Sequence, residues 1–223
     1  MLDLSPLQPA LDGFKADWEA RVGATIAADI AGDIDDLRAT GILDRAAKPG
    51  DAWPEARLTD QTGRAFDLAA LMAQQPTIVT FYRGGWCPYC NLELRAYQRM
   101  LSQIDAAGAA LVAITPERPD HSLTTSEKNG LAFPVLTDAG SALASALGIR
   151  FTLSDTVRPF YEKAGHALPE RNGDGVWALP IPATFVVARG GRIARAFIEP
   201  DYRKRTDPAE ALAELRDIAA YAA

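Results

Sequence analysis

The sequence predicts a three-layer α/β domain that follows a helical N-terminal extension. Apolar residues recur at near-helical steps over residues 6–43, whereas short apolar runs alternate with helical patterns from about residue 50 onward. Strands that alternate with helices are typical of a sheet covered by helices on both faces. We therefore divide the chain into an extension at residues 1–48 and an α/β domain at residues 49–223.

The extension has an amphipathic pattern that Pro49-Gly50 ends. Its apolar positions are Leu11, Phe14, Trp18, Val22, Ile26, Ile30, Ile34 and Leu37. A helical face as apolar as this one must be buried against protein. Two arrangements are open: the extension packs on its own domain, or it forms the contact of a homodimer.

The α/β domain shows a regular order of elements. Strands are predicted at residues 56–59, 77–82, 109–115, 134–137, 184–188 and 193–198. Helices are predicted at residues 67–74, from the end of the 77–82 strand to about 107, and at 123–129, 141–147 and 208–221. The last two strands form a hairpin about Arg189-Gly190-Gly191-Arg192.

Residues 155–179 are predicted as one long loop, because Pro159, Pro169, Gly173 and Gly175 interrupt any periodic pattern. Loops of this length in compact domains are usually lids or binding loops, so this segment either controls access to a site or decorates the surface.

Both cysteines of the chain lie in Trp86-Cys87-Pro88-Tyr89-Cys90, between the apolar strand Thr77–Tyr82 and a helical pattern. The free amides and the dipole at a helix N-terminus stabilise a thiolate, the nucleophilic form of cysteine. One helical turn brings two sulfurs close enough to bond. The spacing therefore predicts a redox pair that forms an intrachain disulfide.

Two other interpretations of the cysteines remain. Half of a zinc site needs further ligands, and His121 and His166 stand at no finger-like spacing, so no metal is expected. The cysteines could also be incidental buried residues. We interpret both histidines as solvated or capping groups.

Composition disfavours some classes of function. The formal net charge is −6, and Arg203-Lys204-Arg205, the dense basic cluster, is interpreted as a solvated turn, so we expect no nucleic-acid partner. Residues 1–14 lack a signal-peptide pattern and no stretch approaches the length of a membrane span. We expect a cytoplasmic protein, in which a disulfide is transient and catalytic.

Trp86-Cys87-Pro88-Tyr89-Cys90 resembles the thioredoxin active site, and its last four residues match the glutaredoxin tetrapeptide. Ile181-Pro182-Ala183-Thr184-Phe185 resembles the segment that carries the cis-proline of the thioredoxin fold. Phe81–Trp86 and Ala183–Val187 are closer to the peroxiredoxin-like branch of the alkyl hydroperoxide reductase/thiol-specific antioxidant superfamily, over about residues 50–200. The resemblance implies a thioredoxin-like α/β/α sandwich, a cis Ile181–Pro182 bond against the disulfide, and no cofactor.

The two resemblances assign different nucleophiles. In the thioredoxin frame Cys87 attacks, as the more exposed thiol, and Cys90 resolves the mixed disulfide. In the peroxiredoxin frame Cys90 takes the peroxidatic position, Arg83 replaces a proline and Cys87 replaces a threonine. The usual peroxiredoxin arginine before the Ala-Thr-Phe strand is Pro182 here, which puts fast peroxidase activity in doubt.

Several neighbours are candidate substrate-binding residues. Arg83 either supplies a substitute cation near the thiolates or is a surface charge at a strand end. Trp86 either shapes a substrate groove or covers the helix end. Ile181 and Pro182 are expected to border the disulfide, with the Ile181 backbone free to pair with an extended substrate. Tyr89 is interpreted as a filler, and Glu93 as a residue that favours the helix dipole.

The leading hypothesis is a thiol-disulfide oxidoreductase, with Cys87 and Cys90 catalytic, that reduces a peroxide or a protein disulfide. An external thiol system such as thioredoxin or glutathione recycles it. Two alternatives remain: a thioredoxin-type reductase of protein disulfides without peroxidase activity, and a non-catalytic redox sensor whose disulfide state switches the long loop or the extension.

Overall fold

A seven-stranded mixed sheet forms the centre of the computed structural model, which describes residues 6–221. The strands are Leu58–Asp60 (β1), Ala65–Phe66 (β2), Thr77–Phe81 (β3), Ala110–Thr115 (β4), Val135–Thr137 (β5), Arg150–Thr152 (β6), Ala178–Pro180 (β7), Ala183–Ala188 (β8) and Arg192–Ile198 (β9). The sheet order is β2-β1-β5-β4-β3-β8-β9, and β6 and β7 form a separate two-stranded ribbon.

Ten helices are described, and two of them lie in the segment that was predicted as a loop. They are Leu7–Val22 (α1), Ala24–Ala39 (α2), Ile42–Arg45 (α3), Leu68–Gln74 (α4), Pro88–Ala106 (α5), Pro119–Asn129 (α6), Ala142–Ala146 (α7), Arg158–Lys163 (α8), Leu168–Asn172 (α9) and Pro208–Tyr221 (α10).

β3 is the central strand and all five of its residues are buried. It pairs in parallel with β4 and antiparallel with β8. Because successive strand residues point to opposite faces, Ile78 packs with α1, α5 and α10, whereas Val79 and Phe81 pack with α3, α4 and α7. Helices therefore cover both faces of the sheet, and the predicted three-layer class is confirmed.

The N-terminal helices pack on the rest of the chain. Leu7 and Leu11 of α1 are buried beside α5, and the Leu7 amide donates a hydrogen bond of 2.8 Å to Asp207 Oδ2. In α2, Ile30 and Ile34 pack against Leu153, Val157, Tyr161, Leu168 and Leu179. The apolar face of the extension is thus buried within the same chain. The boundary at residue 48 and a homodimer stay predictions.

The prediction of one loop over residues 155–179 is wrong. The structure forms α8, α9 and strand β7 there, and strand β6 precedes them. Pro159 and Pro169 lie in the first turns of the two helices, where a missing amide proton breaks no helical hydrogen bond. Gly173 ends α9 in the left-handed region with φ 74°. The residues that suggested a loop therefore start and stop short helices.

The expected cis bond before Pro182 is also wrong, since every peptide bond in the described part of the chain is trans. The Ile181 amide donates a hydrogen bond of 2.7 Å to the carbonyl oxygen of Ile149. The backbone continues from β7 into β8 through Ile181. The hydrogen bond occupies the Ile181 amide, which we expected to pair with a substrate. The order of the sheet, rather than a cis-proline, identifies the fold.

Candidate active site

The two cysteines lie at the start of α5, the helix that follows β3. Cys87 is the N-cap residue of α5, with φ −84° and ψ 114°, and Pro88 occupies the first turn. The Asn91 side-chain amide donates hydrogen bonds of 2.8 Å to the Gly85 carbonyl and 2.9 Å to the Cys87 carbonyl. These bonds fix the turn before the helix, so that the Cys87 residue stands at the positive end of the α5 dipole.

The turn requires glycine at two positions. A Cβ at Gly84 would collide with the Trp86 side chain, and a Cβ at Gly85 would collide with Oγ1 of Thr125. The Gly85 amide donates a hydrogen bond of 2.6 Å to Oε2 of Glu117, a carboxylate that is fully buried. Close packing therefore holds the segment between the strand and the cysteines.

Cys87 and Cys90 are free thiols that lie 3.2 Å apart. Their exposed fractions are 1% and 0%, so both thiols are buried and exposure does not distinguish Cys87 from Cys90. Tyr89 between them packs edge-on against Phe14 of α1 and against Tyr202, and these contacts cover the start of α5. A partner must therefore approach the sulfurs through a packed surface.

The two thiols differ in acidity. Burial alone would raise the pKa of the Cys87 thiol, but a hydrogen bond with Cys90 and two nearby guanidinium groups lower this pKa to about 6. Burial and the hydrogen bond to Cys87 raise the pKa of Cys90 well above its usual range. At neutral pH the site thus holds one thiolate, on Cys87, and one thiol, on Cys90.

The first guanidinium group is that of Arg83, which is 2% exposed. It donates a hydrogen bond to the Tyr161 hydroxyl and lies over the Tyr202 ring, with 3.8 Å between Cζ and the ring centroid. The interpretation of Arg83 as a surface charge is wrong, because the side chain turns inward between aromatic rings. Its charge acts on Cys87.

The second guanidinium group is that of Arg205. It pairs with Glu93 at 2.8 Å, and its Nη2 atom lies 3.5 Å from the Cys90 sulfur. The Arg205 and Glu93 side chains are 2% and 1% exposed, so this part of the basic cluster is not a solvated turn. Burial raises the pKa of Glu93 to about 7 against the opposing charge of Arg205.

Sequence reasoning missed this ion pair. Glu93 follows Cys90 by three positions, a spacing that places both residues on one face of α5 and could have indicated the carboxylate. Nothing in Arg203-Lys204-Arg205 indicates which side chain points inward.

Trp86 is half-buried beneath residues from the 150–180 segment. Its ring lies 5.5 Å from the Tyr161 ring and 4.8 Å from the His166 ring, measured between centroids. Arg83 lies on Trp86 as well, with 5.1 Å between Cζ and the centroid. His166 is therefore packed on Trp86 rather than solvated, and the segment interpreted as a lid does cover the residue before Cys87.

Ile181 and Pro182 are fully or nearly fully buried at the start of β8. Pro182 lines a cavity of ≈ 200 Å³ whose wall includes Glu93 and Arg205. The structure thus brings Pro182 to the ion pair beside Cys90. A role of Ile181 and Pro182 in substrate binding stays a prediction, as it does for Arg83 and Trp86.

Two other kinds of site are absent from residues 6–221. No group of three or more His, Cys, Asp or Glu side chains is arranged to hold a metal ion. No described helix combines the length and the apolar composition that a membrane crossing needs.

Comparison with known proteins identifies the family. The model of the AhpC/TSA family matches residues 49–196, about two thirds of the chain. The chain belongs to the AhpC/TSA family. The match begins at the residue where the predicted α/β domain starts.

Relatives support this membership. The protein named "Putative peroxiredoxin MT2597" from Mycobacterium tuberculosis is 31% identical over 100 residues, which cover 45% of this chain and 63% of that protein. Peroxiredoxin Q of Populus jackii is 28% identical over 108 residues, 48% of this chain and 50% of that protein. The matched regions thus span between half and two thirds of these relatives.

Solved structures show the same fold. Peroxidoxin BcpB from Mycobacterium tuberculosis superposes with a TM-score of 0.61 at 22% identity, over 77% of this chain and 97% of that one. The Vibrio vulnificus Prx3 structure gives a TM-score of 0.61 at 17% identity, over 76% and 99% of the two chains. The thioredoxin-like fold expected from the sequence is confirmed.

Within the AhpC/TSA frame the site departs from the pattern that the sequence resemblance implies. The sequence resemblance to peroxiredoxins implies an arginine before the Ala-Thr-Phe strand, at the position that Pro182 occupies here. Arg205 lines the same cavity as Pro182 and brings its guanidinium to the Cys90 sulfur from the turn before α10. A cation is therefore present at the site, but another segment of the chain supplies it.

Proposed function

We propose that the protein is a thiol-dependent peroxidase that reduces a small hydroperoxide through a Cys87–Cys90 dithiol/disulfide cycle. The arrangement of the two thiols is the observation that supports this proposal most strongly. They lie 3.2 Å apart at the start of α5, and Cys87 is the more acidic of the two. An acidic thiol beside a protonated one supplies a nucleophile and a resolving group.

The cycle has three steps. The Cys87 thiolate attacks the peroxide, an S–O bond forms, the O–O bond breaks, and the leaving oxygen takes a proton to become an alcohol or water. Cys90 then attacks the Cys87 sulfenic acid, which forms the disulfide and releases water. Glu93, with a pKa of about 7, is suited to accept the proton that Cys90 loses and to return it to the leaving hydroxide, which departs as that water. Two external thiols restore the dithiol.

Burial of the sulfurs favours a small oxidant over a protein disulfide. A protein substrate must bring its own sulfur in line with Cys87, whose exposed fraction is 1%. A hydroperoxide needs far less room. The positive charges of Arg83 and Arg205 also suit a reaction in which negative charge develops on the leaving oxygen.

The proposal includes a reductant and a compartment. An external thiol system of the thioredoxin or glutathione type would reduce the disulfide, in the cytoplasm, where thiols are kept reduced. A thioredoxin-type reductase remains the second candidate, because Trp86 and the low pKa of Cys87 match that frame.

The test measures turnover with two oxidants. Reduced protein is mixed with hydrogen peroxide or with insulin disulfide, with dithiothreitol as the reductant. The Cys87→Ser/Cys90→Ser double variant serves as a blank that has no thiol. We expect many peroxides consumed per chain, and insulin reduction no faster than in the blank.

Two results would overturn the proposal. Rapid insulin reduction without peroxide turnover would identify a protein-disulfide reductase. Consumption of one peroxide per chain, with no turnover on added reductant, would identify a redox sensor.

A further inference from the structure

Residues 158–172, which form α8, α9 and their connection, lie over the ring that precedes Cys87, and we call them the cover segment. Tyr161 of α8 meets Trp86 edge-on, with 5.5 Å between the ring centroids and an interplanar angle of 74°. His166, between the two helices, lies on the same indole at 4.8 Å with an interplanar angle of 31°. Two rings of the cover segment therefore occupy the surface of Trp86.

One carboxylate links the cover segment to the turn before Cys87. Oε2 of Glu117 accepts the hydrogen bond of 2.6 Å from the Gly85 amide. Oε1 of Glu117 lies 3.0 Å from Nε and 2.9 Å from Nη2 of Arg171 in α9. The Glu117 side chain is 0% exposed and that of Arg171 is 25% exposed. This ion pair resists separation, because opening would leave a buried carboxylate without its partner.

The cover segment is also attached to the core. The Tyr161 hydroxyl accepts a hydrogen bond from Arg83, in the loop after β3. Tyr161 is 5% exposed and packs in one apolar cluster with Ile30 and Ile34 of α2. Ring contacts, an ion pair and apolar packing thus hold the cover segment in place beside Cys87.

We propose that Arg171 and His166 are specificity-determining residues: they hold the cover segment on Trp86, where it admits small oxidants to Cys87 and excludes protein disulfides. The inference rests on the proposed peroxidase function and concerns how that site selects its substrate class. A protein disulfide must lay its chain on the surface beside the attacking thiol. The rings of the cover segment already occupy the part of that surface that Trp86 forms, whereas a hydroperoxide needs no such surface.

The test compares two maleimides of different size on a single thiol. Every protein carries Cys90→Ser, so that Cys87 is the one thiol of the chain. Each protein is mixed with N-ethylmaleimide or with a maleimide attached to a polyethylene glycol chain. Both reagents react with the same thiolate, so the ratio of their rates does not depend on the pKa of Cys87. The ratio therefore reports steric access.

The cover segment should exclude the large reagent from the wild-type site, and its variants should admit it. We expect His166→Ala to raise the rate with the large maleimide about fivefold relative to the small one, because aromatic contacts of this kind stabilise by about that factor. Arg171→Met should raise it about tenfold or more, because it breaks a buried ion pair. His166→Phe and Arg171→Lys keep the ring and the charge, and they should recover most of the wild-type ratio.

Two further variants separate the cover segment from its surroundings. Lys163→Met is a matched control, because Lys163 is an exposed residue of α8, and it should leave the ratio unchanged. Phe14→Ala changes the ring of α1 that packs on Tyr89. An increase in Phe14→Ala without one in His166→Ala would show that α1 limits access, and would overturn the proposal.

His166→Ala removes no buried ion pair, so it tests the proposal even if Arg171→Met does not fold. An unchanged ratio in His166→Ala, or equal rates of the two maleimides in the wild-type cover segment, would contradict the proposal. In chains that retain both cysteines, His166→Ala should reduce insulin faster than wild type does, and no gain would also contradict it. Alkylation needs neither peroxide nor reductant, so this test can fail while peroxide turnover succeeds, or succeed while turnover fails.

Discussion

At Cys87, one hydrogen bond and two guanidinium groups act on a single sulfur. These lower the pKa of Cys87 to about 6 against the effect of burial. We expect thiolate absorbance near 240 nm, and the rate of alkylation by iodoacetamide, to titrate with a midpoint near pH 6 in reduced wild type, and with a higher midpoint in the Cys90→Ala variant, which lacks the hydrogen bond from Cys90. A midpoint above pH 8 would show that neither arginine acts on the sulfur.

The same pKa has a consequence for stability. The folded-state pKa lies below the ordinary value of 9.0, so Cys87 stabilises the folded protein at alkaline pH and this contribution is lost as the pH falls toward about 6. Each unit of the shift is worth about 1.4 kcal/mol. In urea unfolding, the difference in the free energy of unfolding between reduced wild type and Cys87→Ser should therefore grow from pH 6 to pH 9. A constant difference would contradict the assignment.

Arg205 offers a second test at the level of residues. Its replacement by methionine leaves Glu93 buried without its partner, which should destabilise the protein by about 3–5 kcal/mol in urea unfolding near neutral pH. The Arg205→Met/Glu93→Leu double variant should recover much of that loss, because no uncompensated charge remains. Equal losses in the single and double variants would show that the ion pair is not what Arg205 contributes.

Sequence reasoning found the site residues that are defined by spacing and missed those defined by tertiary packing. Cys87 and Cys90 follow from a two-residue interval at the start of a helix, and Arg83 from its place at a strand end. Arg205 reaches Cys90 across 115 positions of sequence. Burial of Cys87 was missed for the same reason, because Phe14 and Tyr202 cover the site from distant segments.

Among the elements, α1 is the one whose attachment the sequence left open. Leu11 is 0% exposed in the core beside α5. We expect Leu11→Ala to destabilise the whole protein by about 2–5 kcal/mol, with one cooperative transition. Leu43→Ala is a matched control, because Leu43 is 42% exposed and its loss should change stability by less than about 0.5 kcal/mol. A separate early transition would show that α1 unfolds independently.

Elements with strong periodicity were predicted, whereas the short elements between residues 150 and 180 were not. β3 and β4 were predicted as strands because continuous apolar runs are typical of strands that are buried on both faces. The β6–β7 ribbon has only three residues in each strand, and α8 and α9 have six and five residues. Such segments are too short to show a period, and their prolines and glycines are equally typical of loops.

For the whole molecule, the order of strands and helices was enough to predict the class of fold. The pairing of β1 with β5 depends on contacts between distant segments that no local pattern encodes. The expected cis-proline came from resemblance rather than from local physics. It was wrong while the fold that suggested it was confirmed.

The whole chain contains only two cysteines, so the disulfide of the oxidised state can be predicted. Mild oxidation should give a monomer with an intrachain Cys87–Cys90 disulfide, because each thiol has its partner 3.2 Å away. Mass spectrometry of the intact protein should show the loss of two hydrogens. A covalent dimer would contradict the proposed cycle, whereas a non-covalent dimer of disulfide-bonded chains would not.

The central claim is that Cys87 attacks and Cys90 resolves, and trapping of the first intermediate tests it most directly. Reduced Cys90→Ser and Cys87→Ser variants are each mixed with one equivalent of hydrogen peroxide and dimedone, and the labelled peptide is identified by mass spectrometry. We expect the label on Cys87 in Cys90→Ser, and far slower labelling of Cys90 in Cys87→Ser. Rapid formation of sulfenic acid on Cys90, with Cys87 inert, would contradict the account.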